Sequence, residues 1–159
     1  MEKKWSEVEK SGGHGIMFMG EFNHVLDPKN RVIVPARFRE ELKDRFVITA
    51  GLDGCLYLLT YTYWEQFVSQ LAQLPFTKQT RELQRFFTQN AAEAEIDKQG
   101  RLVIPANLKA IAGIDKDVVF VGVISKIELW SKEKLESSQV DDTMENIAER
   151  MSTEFGLRL

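Results

Sequence analysis

A ten-residue segment of this chain occurs twice. Residues 27–36 read Asp-Pro-Lys-Asn-Arg-Val-Ile-Val-Pro-Ala, and residues 97–106 read Asp-Lys-Gln-Gly-Arg-Leu-Val-Ile-Pro-Ala, so the copies lie 70 residues apart. An internal repeat constrains the fold more than any local pattern, because both copies must form the same unit. Two copies are too few for a solenoid. The repeat therefore predicts two small units that share one core and present two equivalent turns.

Each copy opens with an Asp-x-x-x-Arg pattern that is typical of a tight turn. Asp27 and Asp97 stand at the first turn position, where a carboxylate can accept from backbone N–H groups two residues on. Asn30 and Gly100 occupy equivalent places, and these two residue types tolerate a left-handed backbone best. The pattern predicts a three-residue hairpin loop in both copies. The strands expected to pair are residues 22–26 with 31–34 and residues 92–96 with 101–104.

The repeat continues beyond the turns. Pro35 and Pro105 suit the first position of a helix, and apolar residues follow each of them at helical spacing. Two more strands are expected after each helix, at residues 46–50 and 55–59 and at residues 118–123 and 127–130. Because one such unit buries little apolar surface alone, the sequence predicts an α+β protein in which two ββαββ units form a pseudo-twofold pair.

Helical patterns separate and follow the two units. Thr62 and Glu65 form a capping-box pattern before an apolar stripe of period 3.6, and Asp142 is expected to cap a last helix. The predicted divisions are a first unit at 17–63, connecting helices at 64–90, a second unit at 91–134 and a C-terminal helix at 135–159.

Residues 1–16 differ from the rest of the chain. They are charged and glycine-rich, and they lack the apolar segment of a signal peptide. We interpret them as a disordered extension or tag, either an expression remnant or the product of an upstream start. The working protein is then expected to begin at Met17 or Met19.

Charge is distributed unevenly along the chain. The net charge of −3 differs from that of an overall basic nucleic-acid-binding domain. Residues 28–45, however, carry six basic and three acidic side chains, whereas residues 132–159 carry four basic and seven acidic ones. This predicts a modestly basic end, although two solvated faces would give the same pattern.

Side chains suited to catalysis or metal binding are sparse. The chain has two histidines, His14 and His24, one cysteine, Cys55, and neither a P-loop nor a G-x-G-x-x-G motif. Asp27 and Asp97 are interpreted as separate turn residues, not as an acid/base pair. We therefore expect no catalytic residues, no metal and no cofactor. No apolar run reaches the roughly 18 residues that a membrane-spanning helix needs.

Beyond the two turn motifs, Met17-Phe18-Met19-Gly20 and Ile127-Glu128-Leu129-Trp130 resemble segments of the MraZ family, a duplicated form of the SpoVT/AbrB swapped-hairpin domain. The resemblance covers residues 17–159 and implies two hairpin units interlocked as a β-barrel. It also implies a DNA-binding transcriptional regulator of the cytoplasm and nucleoid. Such proteins assemble into rings and bind short direct repeats in double-stranded DNA upstream of their own division and cell-wall operon. The implied partners are DNA and further copies of the chain, without a membrane.

Each turn is expected to hold basic side chains at a tip that can approach a DNA groove. The candidate DNA contacts are Lys29, Arg31, Arg37, Lys98 and Arg101. Arginine offers a planar fork for phosphate or guanine, whereas lysine can meet phosphate without reading sequence. Arg31 and Arg101 could instead pair with the aspartate four residues earlier. Because Asn107 replaces Arg37 in the second copy, the first tip is expected to carry more charge.

A second function remains open on the same fold. Ten Phe, three Trp and the apolar helix faces also suit a protein-binding assembly or an antitoxin-like module. A gel shift across a salt series separates the two, because binding to phosphates depends steeply on salt.

Overall fold

The computed structural model describes residues 17–138 and 140–158 of the chain, so the predicted extension at residues 1–16 lies outside the described residues. The strands are β1 (Phe18–Val25), β2 (Arg31–Ile33), β3 (Arg45–Ala50), β4 (Leu56–Leu59), β5 (Ala92–Glu95), β6 (Arg101–Val103), β7 (Asp117–Ile124) and β8 (Lys126–Ser131). The helices are α1 (Ala36–Leu42), α2 (Tyr61–Ala72), α3 (Lys78–Gln89), α4 (Ala106–Ile111), α5 (Lys132–Ser137) and α6 (Met144–Phe155).

The strands form two antiparallel sheets. The larger sheet has six strands in the order β1-β7-β8-β4-β3-β5, and β2 pairs with β6 in a separate ribbon. When each strand is exchanged for its counterpart in the other repeat, this order reads in reverse, so the sheet has an internal pseudo-twofold axis. The predicted α+β class with a duplicated unit is confirmed.

The predicted hairpin partners are wrong. β1 pairs along all of its eight residues with β7, β5 pairs with β3, and β2 pairs with β6. Contact within each expected hairpin is limited to residues next to the turn: the backbone N–H of Asp27 donates to the carbonyl of Arg31 at 2.9 Å, and Ile96 forms an isolated antiparallel bridge with Leu102. An isolated two-stranded hairpin is only marginally stable. In the observed pairing, β1 and β5, the first strands of the two units, lie instead at the two edges of the six-stranded sheet, where they pair with β7 and β3.

The large sheet separates two apolar layers. Along β4, Leu56 and Leu58 face a core shared with β2, β6, α1 and α4, whereas Tyr57 and Leu59 face α2 and α3. The alternation follows from the period of two in a strand. The β2–β6 ribbon and the α2–α3 pair therefore lie on opposite faces of the sheet.

Two helices begin one or two residues away from their predicted caps. The hydroxyl of Thr60, not Thr62, accepts from the backbone N–H of Tyr63 at 3.1 Å at the start of α2. The hydroxyl of Thr143, not the carboxylate of Asp142, caps α6. In both cases the capping residue is the last one with an extended backbone. None of the helices formed by the described residues is long and apolar enough to cross a membrane.

Candidate nucleic-acid interface

Asp27 organises the first turn through three hydrogen bonds. Its Oδ1 atom accepts from the backbone N–H of Lys29 at 2.9 Å and of Arg31 at 2.8 Å, and its Oδ2 atom accepts from Nε of Arg31 at 2.7 Å. Asn30 has a φ of 59°, in the left-handed region. Lys29 is exposed next to this closed loop.

The second turn repeats the same geometry. Oδ1 of Asp97 accepts from the backbone N–H groups of Gln99 and Arg101 at 2.9 Å, and Oδ2 accepts from Nε of Arg101 at 2.8 Å. Gly100 has a φ of 80°, and Lys98 is exposed at the tip. The same three hydrogen bonds to an aspartate therefore hold the backbone and the arginine in both turns.

Both aspartates are held in the ionised form. Desolvation raises the pKa of Asp27, but hydrogen bonds from the backbone and guanidinium of Arg31 outweigh it and lower that pKa. The hydrogen bond from the backbone of Arg101 is the main reason why the pKa of Asp97 is lowered. At neutral pH each arginine therefore faces a carboxylate through Nε, and Nη2 of Arg101 also donates to Oε1 of Gln99 at 3.2 Å.

The ribbon places the two arginines on one outward surface. Arg31 lies opposite Val103, and Arg101 lies opposite Ile33. The central residue of each strand points into the core at 1% exposure, whereas Ile33 and Val103 are 48% and 57% exposed. Since strand side chains alternate, the outward face has an arginine at two opposite corners and an aliphatic side chain at the other two.

Each turn receives a basic side chain from the short helix of the other unit. Nζ of Lys109, in α4, donates to Oδ1 of Asn30 at 2.9 Å. Arg39, in α1, lies against Gly100, where an added Cβ atom would collide with its guanidinium. Positions 39 and 109 are 70 residues apart, as are positions 30 and 100, so the two contacts are counterparts. The turns are thus built from both repeats.

A polar cavity of about 360 Å³ lies beside the second turn. Its lining includes Arg39, Lys43 and Lys98 together with Asp44 and Asp97. The carboxylate of Asp97 is already engaged within its own turn, so the cavity has a cationic excess. The expectation that the first tip carries more charge is wrong, because Arg39 of α1 and Lys43, which follows α1, both lie at the second turn.

The predicted contact residues do not all lie together. Lys29 and Arg31 lie at the first turn, and Lys98 and Arg101 lie at the second. The guanidinium of Arg37 instead lies beside Gly20 of β1, and no hydrogen bond in the described part of the chain joins it to either turn.

Three basic residues of this surface are not among the predicted contact residues, namely Arg39, Lys43 and Lys109. A signal for two of them was present, since the 70-residue offset places a basic residue at both 39 and 109. What the pattern could not show is that each helix serves the turn of the other unit.

Other titratable side chains lie away from the ribbon surface. His24 is half-buried on β1 with its ring edge-on to Phe120 at 5.6 Å, and burial lowers its pKa. Cys55 is fully buried, and desolvation raises the pKa of its thiol to about 12. Within residues 17–138 and 140–158, no three His, Cys, Asp or Glu side chains are grouped so that they could hold a metal ion.

The sequence of the chain is similar to that of known proteins of one family. A family model described as "MraZ protein, putative antitoxin-like" matches residues 17–87 and 86–155. The chain is 57% identical over 141 residues to the transcriptional regulator MraZ of Lachnoclostridium phytofermentans, covering 89% of this chain and 99% of that protein. It is 51% identical over 138 residues to the transcriptional regulator MraZ of Clostridium beijerinckii, covering 86% and 97%. Identity to the protein of that name in Clostridium acetobutylicum is 48% over 143 residues, covering 89% and 100%.

Proposed function

Because the chain belongs to the MraZ family, we propose that it is a transcriptional regulator that binds double-stranded DNA through the β2–β6 ribbon and its two turns. The observation that carries this proposal is the outward face of the ribbon, where Arg31 and Arg101 stand at opposite corners. The named relatives are regulators, not enzymes, so we assign no catalytic role, metal or cofactor.

A two-stranded β-ribbon is one of the elements that can read DNA from the major groove. The major groove is about 12 Å wide and admits a two-stranded β-ribbon. An arginine that spends Nε on its own aspartate keeps a terminal amino group for a base edge or a phosphate, so bracing the loop and contacting DNA are compatible roles. Ile33 and Val103 would then meet thymine methyl groups, which are the apolar feature of that groove.

Basic side chains around the ribbon supply the phosphate contacts. Lys29 and Lys109 flank the first turn, and Lys98, Arg39 and Lys43 flank the second. About five contacts give only weak binding at physiological salt, because each contributes a modest counterion-release term. A ring of several copies on successive direct repeats would raise the affinity by tethering. We place these repeats upstream of the protein's own division and cell-wall operon, and the protein in the cytoplasm and nucleoid.

The finer architecture is part of the same proposal. The exchange of β1 and β5 between the repeats supports two swapped-hairpin units interlocked as a barrel. Their boundaries are residues 17–63 and 91–134, joined by helices at 64–90 and followed by a C-terminal helix at 135–159.

A gel shift on the DNA upstream of the protein's own gene tests the proposal. Replacing Arg31 and Arg101 together by Ala should lower affinity for this fragment at least about tenfold, since one good base contact is worth 1–3 kcal/mol. The matched control is Arg45→Ala, which removes an arginine–carboxylate contact with Glu93 and Glu95 on the other face of the sheet. Equal binding by the wild type and the double variant, with both folded by circular dichroism, contradicts the proposal.

An antitoxin-like or protein-binding role is the second candidate. It is favoured by the family description and by apolar side chains left exposed on α6, among them Met144 and Phe155 at 63% and 75%. In that case the upstream fragment should bind no better than a scrambled one at any salt concentration.

A further inference from the structure

An apolar groove of about 250 Å³ lies on the face of the sheet opposite the ribbon. Tyr57 of β4 and Phe67 of α2 line it, and Leu83 of α3 stands at its rim, 37% exposed. Its single cation is Lys126, whose Nζ lies 5.3 Å from the centre of the Tyr57 ring. The loop between α2 and α3 also exposes Phe76, at 87%. Apolar side chains that lie together at an open surface are typical of an interaction site.

The last helix carries an apolar face that is largely exposed. Met144, Ile147, Met151 and Phe155 of α6 fall on one side of the helix, and Met144, Met151 and Phe155 are 63%, 38% and 75% exposed. None of the residues of α6 is buried. Among the described residues, those of α6 do not line the groove. The chain therefore displays both an amphipathic helix and an apolar groove, and leaves them apart.

The two surfaces match in length and in charge. The helices α2, α3 and α6 have 12 residues each, which corresponds to about 18 Å. The charged residues of α3 are Lys78, Arg81 and Arg85 against Glu82, and those of α6 are Glu145, Glu149 and Glu154 against Arg150. A groove bordered by a basic helix is complementary to a helix with an acidic polar side.

We propose that the groove formed by α2, α3 and the sheet binds α6 of a second copy of this chain. The contact joins two different surfaces, so each copy donates one helix and accepts another. Such head-to-tail contacts form a ring when the rotation between successive copies closes and an open filament when it does not, whereas a contact between identical surfaces stops at a dimer. The inference rests on the oligomer in the proposed function and identifies the surfaces that hold it together, on the side of the sheet that leaves the ribbon free.

Solution mass in the absence of DNA tests the contact. Met151→Glu introduces a charge on the apolar face of α6, and Leu83→Glu introduces one at the groove rim. Each should reduce the mass measured by light scattering from that of an oligomer to that of one chain, 18.3 kDa. Thr153→Glu, on the opposite side of α6, adds the same charge and should keep the wild-type mass. A wild-type protein that is monomeric, or a Met151→Glu variant of unchanged mass, overturns the inference.

Cross-linking identifies the occupant without a disruptive substitution. A Leu83→Cys chain is mixed with a longer, tagged Met151→Cys chain and oxidised. The native Cys55 is fully buried and should not interfere. We expect a disulfide-linked product that contains one chain of each length, and much less of it with Thr153→Cys. If a chain carrying both cysteines closes only on itself and no mixed product forms, α6 covers its own groove and the inference is wrong.

The outcome is separable from that of the DNA experiment. Met151→Glu should lose oligomer mass and tethered affinity while retaining the salt-dependent binding of a single copy. The double arginine variant should keep its mass while losing DNA. If Met151→Glu keeps the oligomer mass while the double arginine variant still loses DNA binding, only the proposed helix contact is refuted.

Discussion

Arg39→Ala is the sharpest test of the ribbon surface, because sequence reasoning did not select this residue and the structure places it at the second turn. Its guanidinium lies against Gly100 and lines the cationic cavity with Lys43 and Lys98. If this cavity receives a DNA phosphate, loss of Arg39 removes one counterion-releasing contact from every copy that is bound.

The size of the effect follows from the number of available cations. Five basic side chains around the two turns have no carboxylate partner among the described residues, namely Lys29, Arg39, Lys43, Lys98 and Lys109. At about 0.9 per phosphate, five contacts give a slope of log affinity against log salt near −4.5 for one copy, and four give about −3.6. At an ionic strength near 0.15 M the lost contact corresponds to about a fivefold weaker affinity per engaged copy.

The assay is a titration of labelled upstream DNA by fluorescence anisotropy over a range of salt concentrations, with a scrambled fragment of equal length alongside. Arg39→Ala should flatten the slope for both fragments, since a phosphate contact carries no sequence information. Arg39→Lys should keep the slope. Lys132→Ala removes an exposed lysine of α5, a helix that packs on the other face of the sheet, and should leave both slope and affinity unchanged.

Two results would refute this reasoning. If Arg39→Ala leaves the salt slope at the wild-type value, the cavity beside the second turn does not meet a phosphate. If Lys132→Ala flattens the slope as much as Arg39→Ala, the binding is a general effect of net charge and the ribbon has no special part in it.

Three further predictions concern stability and reactivity. Gly100→Ala and Gly54→Ala should each lower the free energy of unfolding in urea by about 1–2 kcal/mol, since both positions have positive φ. Only Gly100→Ala should also weaken DNA binding, because its Cβ would displace the guanidinium of Arg39; unchanged DNA binding would contradict this. Because the pKa of Asp27 and of Asp97 is lowered, their contribution to stability is present above a pH of about 4 and lost as the pH falls through the folded-state pKa. Replacing both aspartates by Asn should make the free energy of unfolding fall less steeply as the pH is lowered below about 4. An unchanged dependence on pH would contradict a stabilising role for the two ionised aspartates. Cys55 should react with a thiol reagent at pH 8 only as fast as the fold opens, so immediate labelling would show that it is accessible.

The local elements of each repeat could be predicted from the sequence because their signals are local. Pro35 and Pro105 directly precede α1 and α4. The Asp-x-x-x-Arg spacing indicates a turn whichever strands the flanking residues pair with. The strand partners could not be predicted, because the same turn serves a closed hairpin and an exchanged one. The exchanged pairing gives β1 a longer partner, because β7 pairs with all eight of its residues whereas β2 has only three.

Lys109 and Arg39 could not be assigned to the candidate site from the sequence for the same reason, namely that contacts between the two units are not visible in local patterns. Lys109 and Arg39 are distant in sequence from Asn30 and Gly100, and only the exchange of strands brings each pair together. The pairs also explain the residue at each left-handed position. Asn30 offers an amide oxygen to a slender lysine, whereas Gly100 leaves room for the broader guanidinium. A substitution that looks neutral in one turn is therefore matched by a change in the other unit.

This divergence between the turns bears on the kind of operator that the proposed regulator can read. A strict twofold dimer favours a palindromic site, because half-site symmetry mirrors protein symmetry. Fusing the two units into one chain allows the turns to differ, with a lysine at one and an arginine and a cationic cavity at the other. A single copy then presents a directional surface, which suits one asymmetric repeat. If copies join head to tail as proposed, they are related by a rotation that is not a twofold axis, and successive copies would then meet successive repeats in the same orientation.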